Sequence, residues 1–302
     1  MMEMELVAEG LEFPEGPVAM ADGSVILAEI KGRRITRIRP DGSKEVLAET
    51  GGGPNGLAVG PDGALWIADN GGAFSWHDQM GLVIPGPTPP GHEGGSIRRL
   101  DLATGGLETV HESCGGRGLI APNDLVFDSG GGLWFTDHGC TTDDGRRFGA
   151  LCYAAPDGSL SRPRDGLIAP NGVGLSPDGK TVYVADTWLQ RLWAFDLEAP
   201  GVLAPPGLAP GRVVVNLPDY QLLDSLAVEA DGRVCVATIV NGGITAVAPD
   251  GSFEHFAVPD PVCTNICFGG DDMRDAWITA SGTGRLYKAR WPRPGLKLAF
   301  NA

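Results

Sequence analysis

Apolar residues fall along the chain in short blocks of about five, many of them β-branched or aromatic, each bounded by Gly, Pro, Asp or Asn. The i, i+3, i+4 spacing of an amphipathic helix is scarce. This pattern predicts short strands joined by tight turns, an all-β chain.

The blocks repeat. A Pro or similar anchor is followed by a residue with a side-chain oxygen, an apolar stretch, an Asp-Gly turn and a second apolar strand. Anchors stand at Pro14, Pro54, Pro122, Pro170, Leu223 and Thr264. Eight and nine residues later, ten of twelve positions fit Asp-Gly; Gly130 and Met273 are the exceptions. Asp-Gly between apolar segments signals a hairpin, because Gly accepts the positive φ that the turn requires. First strands are expected at 17–21, 56–60, 124–128, 172–176 and 225–229, second strands at 24–28, 64–68, 132–136, 180–185 and 233–237. Outer strands are expected at 34–39, 96–100, 150–154, 191–195, 243–247 and 284–289.

Each repeat reads as a four-stranded meander. Anchors lie 40, 68, 48, 53 and 41 residues apart, near the ~40–50 of a propeller blade. The expectation is a single six-bladed β-propeller over residues 1–302, with a lid-like insertion at 72–95 in the longest repeat. Such a ring leaves a seam unless strands from both chain ends complete one blade. Residues 5–8 and 295–300 are the candidates, and the N-terminal strand is expected to pair on the last blade.

In a propeller the first strand of every blade lines the central channel. The residue after each anchor then joins one ring: Glu15, Asn55, Asn123, Asn171, Asp224 and Asn265. Six side-chain oxygens without a thiolate or imidazole form a hard-cation ligand set, with Ca2+ first and Mg2+ or Mn2+ also suited. The competing reading makes them turn formers capping strand starts.

Composition narrows the field. Lys and Arg number 23 against 38 Asp and Glu, a net charge of −15, which disfavours nucleic acid as a partner. No stretch approaches the ~18 unbroken apolar residues of a spanning helix, and the acidic start, Met1-Met2-Glu3-Met4-Glu5, does not read as a secretory signal. No membrane association and a cytoplasmic location are expected. The six Cys read as free thiols, since a chain this long does not need disulfides.

The phrases Phe13-Pro14-Glu15-Gly16-Pro17, Pro122-Asn123-Asp124, Pro170-Asn171-Gly172-Val173 and Asp224-Ser225-Leu226-Ala227 resemble those of the SMP-30/gluconolactonase/LRE family of six-bladed propeller lactonases, and the resemblance covers almost the whole chain. It implies one divalent cation held by Glu15, Asn123, Asn171 and Asp224, with Asp224 doubling as the catalytic carboxylate; Ca2+ leads, and Mg2+, Mn2+, Zn2+ or Fe2+ are admissible. The family also tends to carry an Arg two residues before its first Asn, where this chain has Ala121. Arg117 stands in only if its loop bends inward.

The implied chemistry is opening of a sugar lactone or related small lactone by water, with the cation polarising the carbonyl. No Gly-x-Ser-x-Gly elbow suggests an acyl-enzyme. Asn55, His138, Trp76 and Trp188 are further candidates for substrate contact; the competing readings are a loop His with a local hydrogen bond for His138, and an oligomer contact or surface cover for the 72–95 insertion. Rival functions are an organophosphate-type esterase on the same scaffold and a non-catalytic binding propeller with a structural metal. Oligomeric state is not encoded legibly.

Overall fold

The Asp-Gly turns form as the repeat requires. In the computed structural model, which describes residues 2–300, Gly23, Gly63, Gly131, Gly179 and Gly232 all take φ between 66° and 91°. In four of these turns the Asp side chain accepts the amide two residues on, as Asp22 does from Ser24 at 2.9 Å and Asp178 from Lys180 at 3.1 Å. The two exceptions explain themselves. Where Gly130 replaces Asp, Asp128 reaches forward to the Gly132 amide at 2.9 Å; Met273 adopts the left-handed φ of 57° that Gly holds elsewhere.

Six antiparallel sheets result, each built outward from one anchor strand, and no helix occurs among the described residues. The innermost strands are Pro14–Ala19, Pro54–Val59, Pro122–Phe127, Pro170–Leu175, Leu222–Val228 and Cys263–Gly269. Four of them are buried at every position, because neighbouring blades cover both faces, so the polar-apolar alternation of a half-exposed strand is absent. The sheets form a six-bladed β-propeller, and the outer strands lie within a few residues of their expected bounds.

The seam closes as expected: Met4–Ala8 pairs antiparallel with Arg285–Arg290 and completes the last blade. Residues 295–300 do something else. They cross the far end of the channel, where the Leu296 amide donates to the Val228 carbonyl at 2.8 Å and Phe300 meets Phe127 edge-on at 5.9 Å. Glu229, fully buried, anchors this tail by accepting from Trp291 Nε1 at 2.7 Å and from the Arg293 guanidinium.

A second buried acid recurs where each of four second strands ends. Glu29, Asp69, Asp137 and Asp186 accept backbone amides from the loop entering their own inner strand: Glu12, Gly53, Ala121 and Ala169 respectively, at 2.7 to 3.2 Å. These carboxylates fix the loops that deliver each ring residue to the channel.

Candidate functional site

Each inner strand carries one more residue than its partner at or beside the ring position. Pairing steps from Glu15–Ala28 to Val18–Ile26, from Pro54–Asp69 to Leu57–Ile67, and from Leu223–Thr238 to Leu226–Val236; the third and fourth blades show the same shift, whereas in the last blade the extra residue is Thr264 and Asn265 pairs with Thr279. A bulge leaves its extra residue unpaired and re-aims the side chain. In the first five blades the shift falls at the ring position and turns Glu15, Asn55, Asn123, Asn171 and Asp224 toward the axis. The blades come close here: a Cβ on Gly56 would stand 2.6 Å from Asp124 Cα, and one on Gly172 2.6 Å from the Leu226 amide nitrogen.

Five of the six ring residues, Glu15, Asn55, Asn123, Asn171 and Asp224, meet on the floor of a cavity of about 500 Å³. Asn265 does not join them. It lines a smaller space of about 80 Å³ below, and its Nδ2 donates to Glu15 Oε2 at 2.8 Å, holding that carboxylate from behind.

The floor is short of positive charge. Burial raises the Glu15 carboxyl well above its usual range, and the nearby Asp224 charge raises it further. Burial likewise pushes Asp224 up to about 7, with Asp124 adding to the rise. Asn171 is oriented on both sides, its Nδ2 donating to Thr187 Oγ1 and its Oδ1 accepting from the Ser225 hydroxyl, both at 3.3 Å. Asn123 Oδ1 is buried without a hydrogen-bond partner. An orphaned amide oxygen on one floor with two desolvated carboxylates fits a hard divalent cation, whose charge offsets the carboxylates and whose coordination satisfies the oxygen. Among the described residues no group of three or more His, Cys, Asp or Glu side chains is placed to hold an ion; the floor set relies on amide oxygens beside only two carboxylates.

The walls are mostly apolar. Phe13, Ile30, Leu222, Ile239 and Val262 come from the blades. The 72–95 insertion folds into a hairpin, Ser75–Gln79 with Leu82–Gly86, whose second strand lines the cavity. It is tied down at two points: Val83 donates to the Gly282 carbonyl and Thr88 to the Thr141 carbonyl, each at 2.9 Å.

The expected contact residues divide. His138 and Trp188 line the cavity, Trp188 remaining 47% exposed at its mouth. The His138 Nδ1–H donates to the Pro170 carbonyl at 3.2 Å, which leaves Nε2 as an acceptor, and burial pushes the ring's pKa down to about 3. Trp76 is not on the cavity wall. It packs behind, with Phe13 at 4.9 Å and Phe74 at 6.2 Å, and those two rings face inward. Arg117 is a correction: its loop forms a separate small hairpin, and its exposed guanidinium pairs with Asp165 outside the cavity.

The cation that lines the cavity is Arg146, on the hairpin Cys140–Thr142 with Gly145–Arg147 that follows the third blade's second strand. Sequence reasoning passed over it. The signal was an Asp143-Asp144 turn between two short strands, the first beginning two residues after His138.

Residues 13–282 match the family model described as SMP-30/Gluconolactonase/LRE-like region. A gluconolactonase of Zymomonas mobilis is 27% identical over 310 aligned positions, covering 92% of this chain and 79% of that protein. Lactonase drp35 of Staphylococcus saprophyticus is 27% identical, covering 82% of this chain and 70% of its own. Among solved structures, a gluconolactonase of Xanthomonas campestris superposes with a TM-score of 0.77 at 25% identity over 96% of this chain and 90% of that one.

Proposed function

Because the chain belongs to the SMP-30/gluconolactonase/LRE-like family, we propose that it is a lactone hydrolase whose cavity floor holds one divalent cation, Ca2+ first, through Glu15, Asn123, Asn171 and Asp224. One observation carries the ligand assignment: the buried, unpartnered Asn123 Oδ1 sits on the same floor as two carboxylates that lack a countercharge. The lactone assignment draws on the two lactonase relatives, each 27% identical over most of this chain.

A cation held there supplies the charge that polarises the ring carbonyl and acidifies a water. The protein's own residues do the rest. Asp224 takes the proton from the attacking water; as the ring C–O bond breaks, that proton passes to the departing ring oxygen, and the product is a hydroxy acid. Asn265 keeps Glu15 aimed upward, and Thr187 with Ser225 fixes the Asn171 amide. Asn55 and the His138 Nε2 acceptor are placed to bind substrate polar groups, and the apolar walls exclude bulk water, strengthening each polar interaction inside. No nucleophilic side chain is required, and no covalent intermediate forms.

The test joins metal analysis to a lactone panel. Wild type is expected to retain about one divalent ion per chain and to open at least one lactone; Asp224→Ala is expected to lose both. A metal-stripped enzyme with undiminished turnover counts against the cation, and turnover of phosphotriesters but of no lactone counts against the substrate class.

A further inference from the structure

Polarity in the cavity is uneven. Oxygen donors cluster on the floor, whereas the walls present Phe13, Phe74, Leu82, Ile84, Leu222 and Ile239. A ligand with hydroxyls on every side would turn several of them against hydrocarbon, where each unpaired one weakens binding. A largely apolar body suits these walls better.

One wall differs. Arg146 lines the cavity with its guanidinium fixed by three hydrogen bonds: Nε to the Ile168 carbonyl at 2.8 Å, Nη1 to Thr141 Oγ1 at 2.9 Å, and Nη2 to the His138 carbonyl. All three acceptors are neutral, and a guanidinium has five N–H groups, so two remain. The carboxylate that attracts it, Asp186, is buried and occupied by the Ile168 and Ala169 amides at 3.3 and 3.2 Å. Arg146 forms no ion pair among the described residues. A half-buried, rigidly held guanidinium with spare donors and no carboxylate bonded to it is a receptor for an anion.

We propose that the natural substrate is a lactone bearing an apolar substituent and an anionic group, most simply a carboxylate, and that Arg146 binds that anion while the ring carbonyl lies on the floor. This rests on the lactone-opening reading above and names the substrate class that reading leaves open. Arg146 is then the specificity residue of the cavity.

A structural role, pinning the hairpin to Ile168 and His138, is the competing explanation, and the experiment separates the two. Steady-state kinetics compare γ-phenyl-γ-butyrolactone, its para-carboxy analogue and D-glucono-δ-lactone. Calorimetry compares 4-phenylbutyrate with 4-phenylbutanamide as unreactive ligands, and melting curves confirm that each variant folds. Wild type is expected to favour the carboxylate lactone over its neutral partner by tenfold or more in kcat/KM, chiefly through KM. Arg146→Gln is expected to erase that preference and the selective binding of 4-phenylbutyrate, and Arg146→Lys to restore part of both. Equal losses on neutral and anionic lactones, or a wild type that prefers the sugar lactone, overturn the proposal. If 4-phenylbutyrate binds in an Arg146-dependent way while no lactone is opened, the ligand class stands and the hydrolase reading falls. If neutral lactones are opened without any Arg146-dependent binding, the reverse holds.

Discussion

Ring residues were legible because their spacing from the Asp-Gly turn is constant, so register alone places Glu15, Asn55, Asn123, Asn171 and Asp224 on one floor. Register cannot say which end of the channel a side chain faces, and Asn265 turns downward to hold Glu15. The buried acids were missed for a related reason: Asp137 reads as an ordinary strand end until its loop is seen donating amides to it. Asp137 accepts from Ala121 at 2.8 Å and from Ile120 at 3.1 Å with no solvent exposure. Asp137→Ala strands those donors and is expected to cost about 3 kcal/mol in urea unfolding; a loss below ~1 kcal/mol contradicts the clip role. His138 makes a pH prediction. Its folded pKa is about 3 against ~6.5 unfolded. Between those values the unfolded chain binds a proton that the folded chain refuses, so stability falls as pH drops below about 6.5. His138→Gln cannot titrate, and calorimetry at pH 7 and pH 5 is expected to show a smaller drop in Tm than wild type, provided the Pro170 carbonyl keeps a donor.

At the scale of elements, the meander strands followed from turn chemistry, and the bulges did not. A bulge adds a residue without altering the apolar pattern that marks a strand, yet it aims every floor side chain. Insertions were visible as excess length, but length does not give direction. The 72–95 segment folds back over the cavity, tied to Gly282 and Thr141, and Trp76 ends up behind Phe13 and Phe74. The same limit hid the exchange between two arginines: Arg117 leaves with its own hairpin to pair with Asp165, and Arg146 arrives on another. Replacing residues 75–86 with a short Gly-Ser turn is expected to raise KM roughly tenfold while Tm falls only a few degrees, because the hairpin supplies wall and little of the core. An unchanged KM shows that the hairpin is not part of the binding wall.

For the whole molecule, the N-terminal strand closes the ring because the last blade otherwise exposes the edge of Arg285–Arg290. Deleting residues 2–9 is expected to lower Tm by roughly 10 °C and to promote association through the bared edge; a monomer melting like wild type shows that closure lies elsewhere. The −15 net charge includes two desolvated carboxylates on one floor, Glu15 and Asp224, with no basic side chain bonded to either among the described residues. Anomalous diffraction from crystals soaked in Mn2+ locates the ion directly. A single peak enclosed by Glu15, Asn123, Asn171 and Asp224 is expected, vanishing in Asp224→Ala; a peak elsewhere, or none on the floor with the metal in excess, contradicts the account.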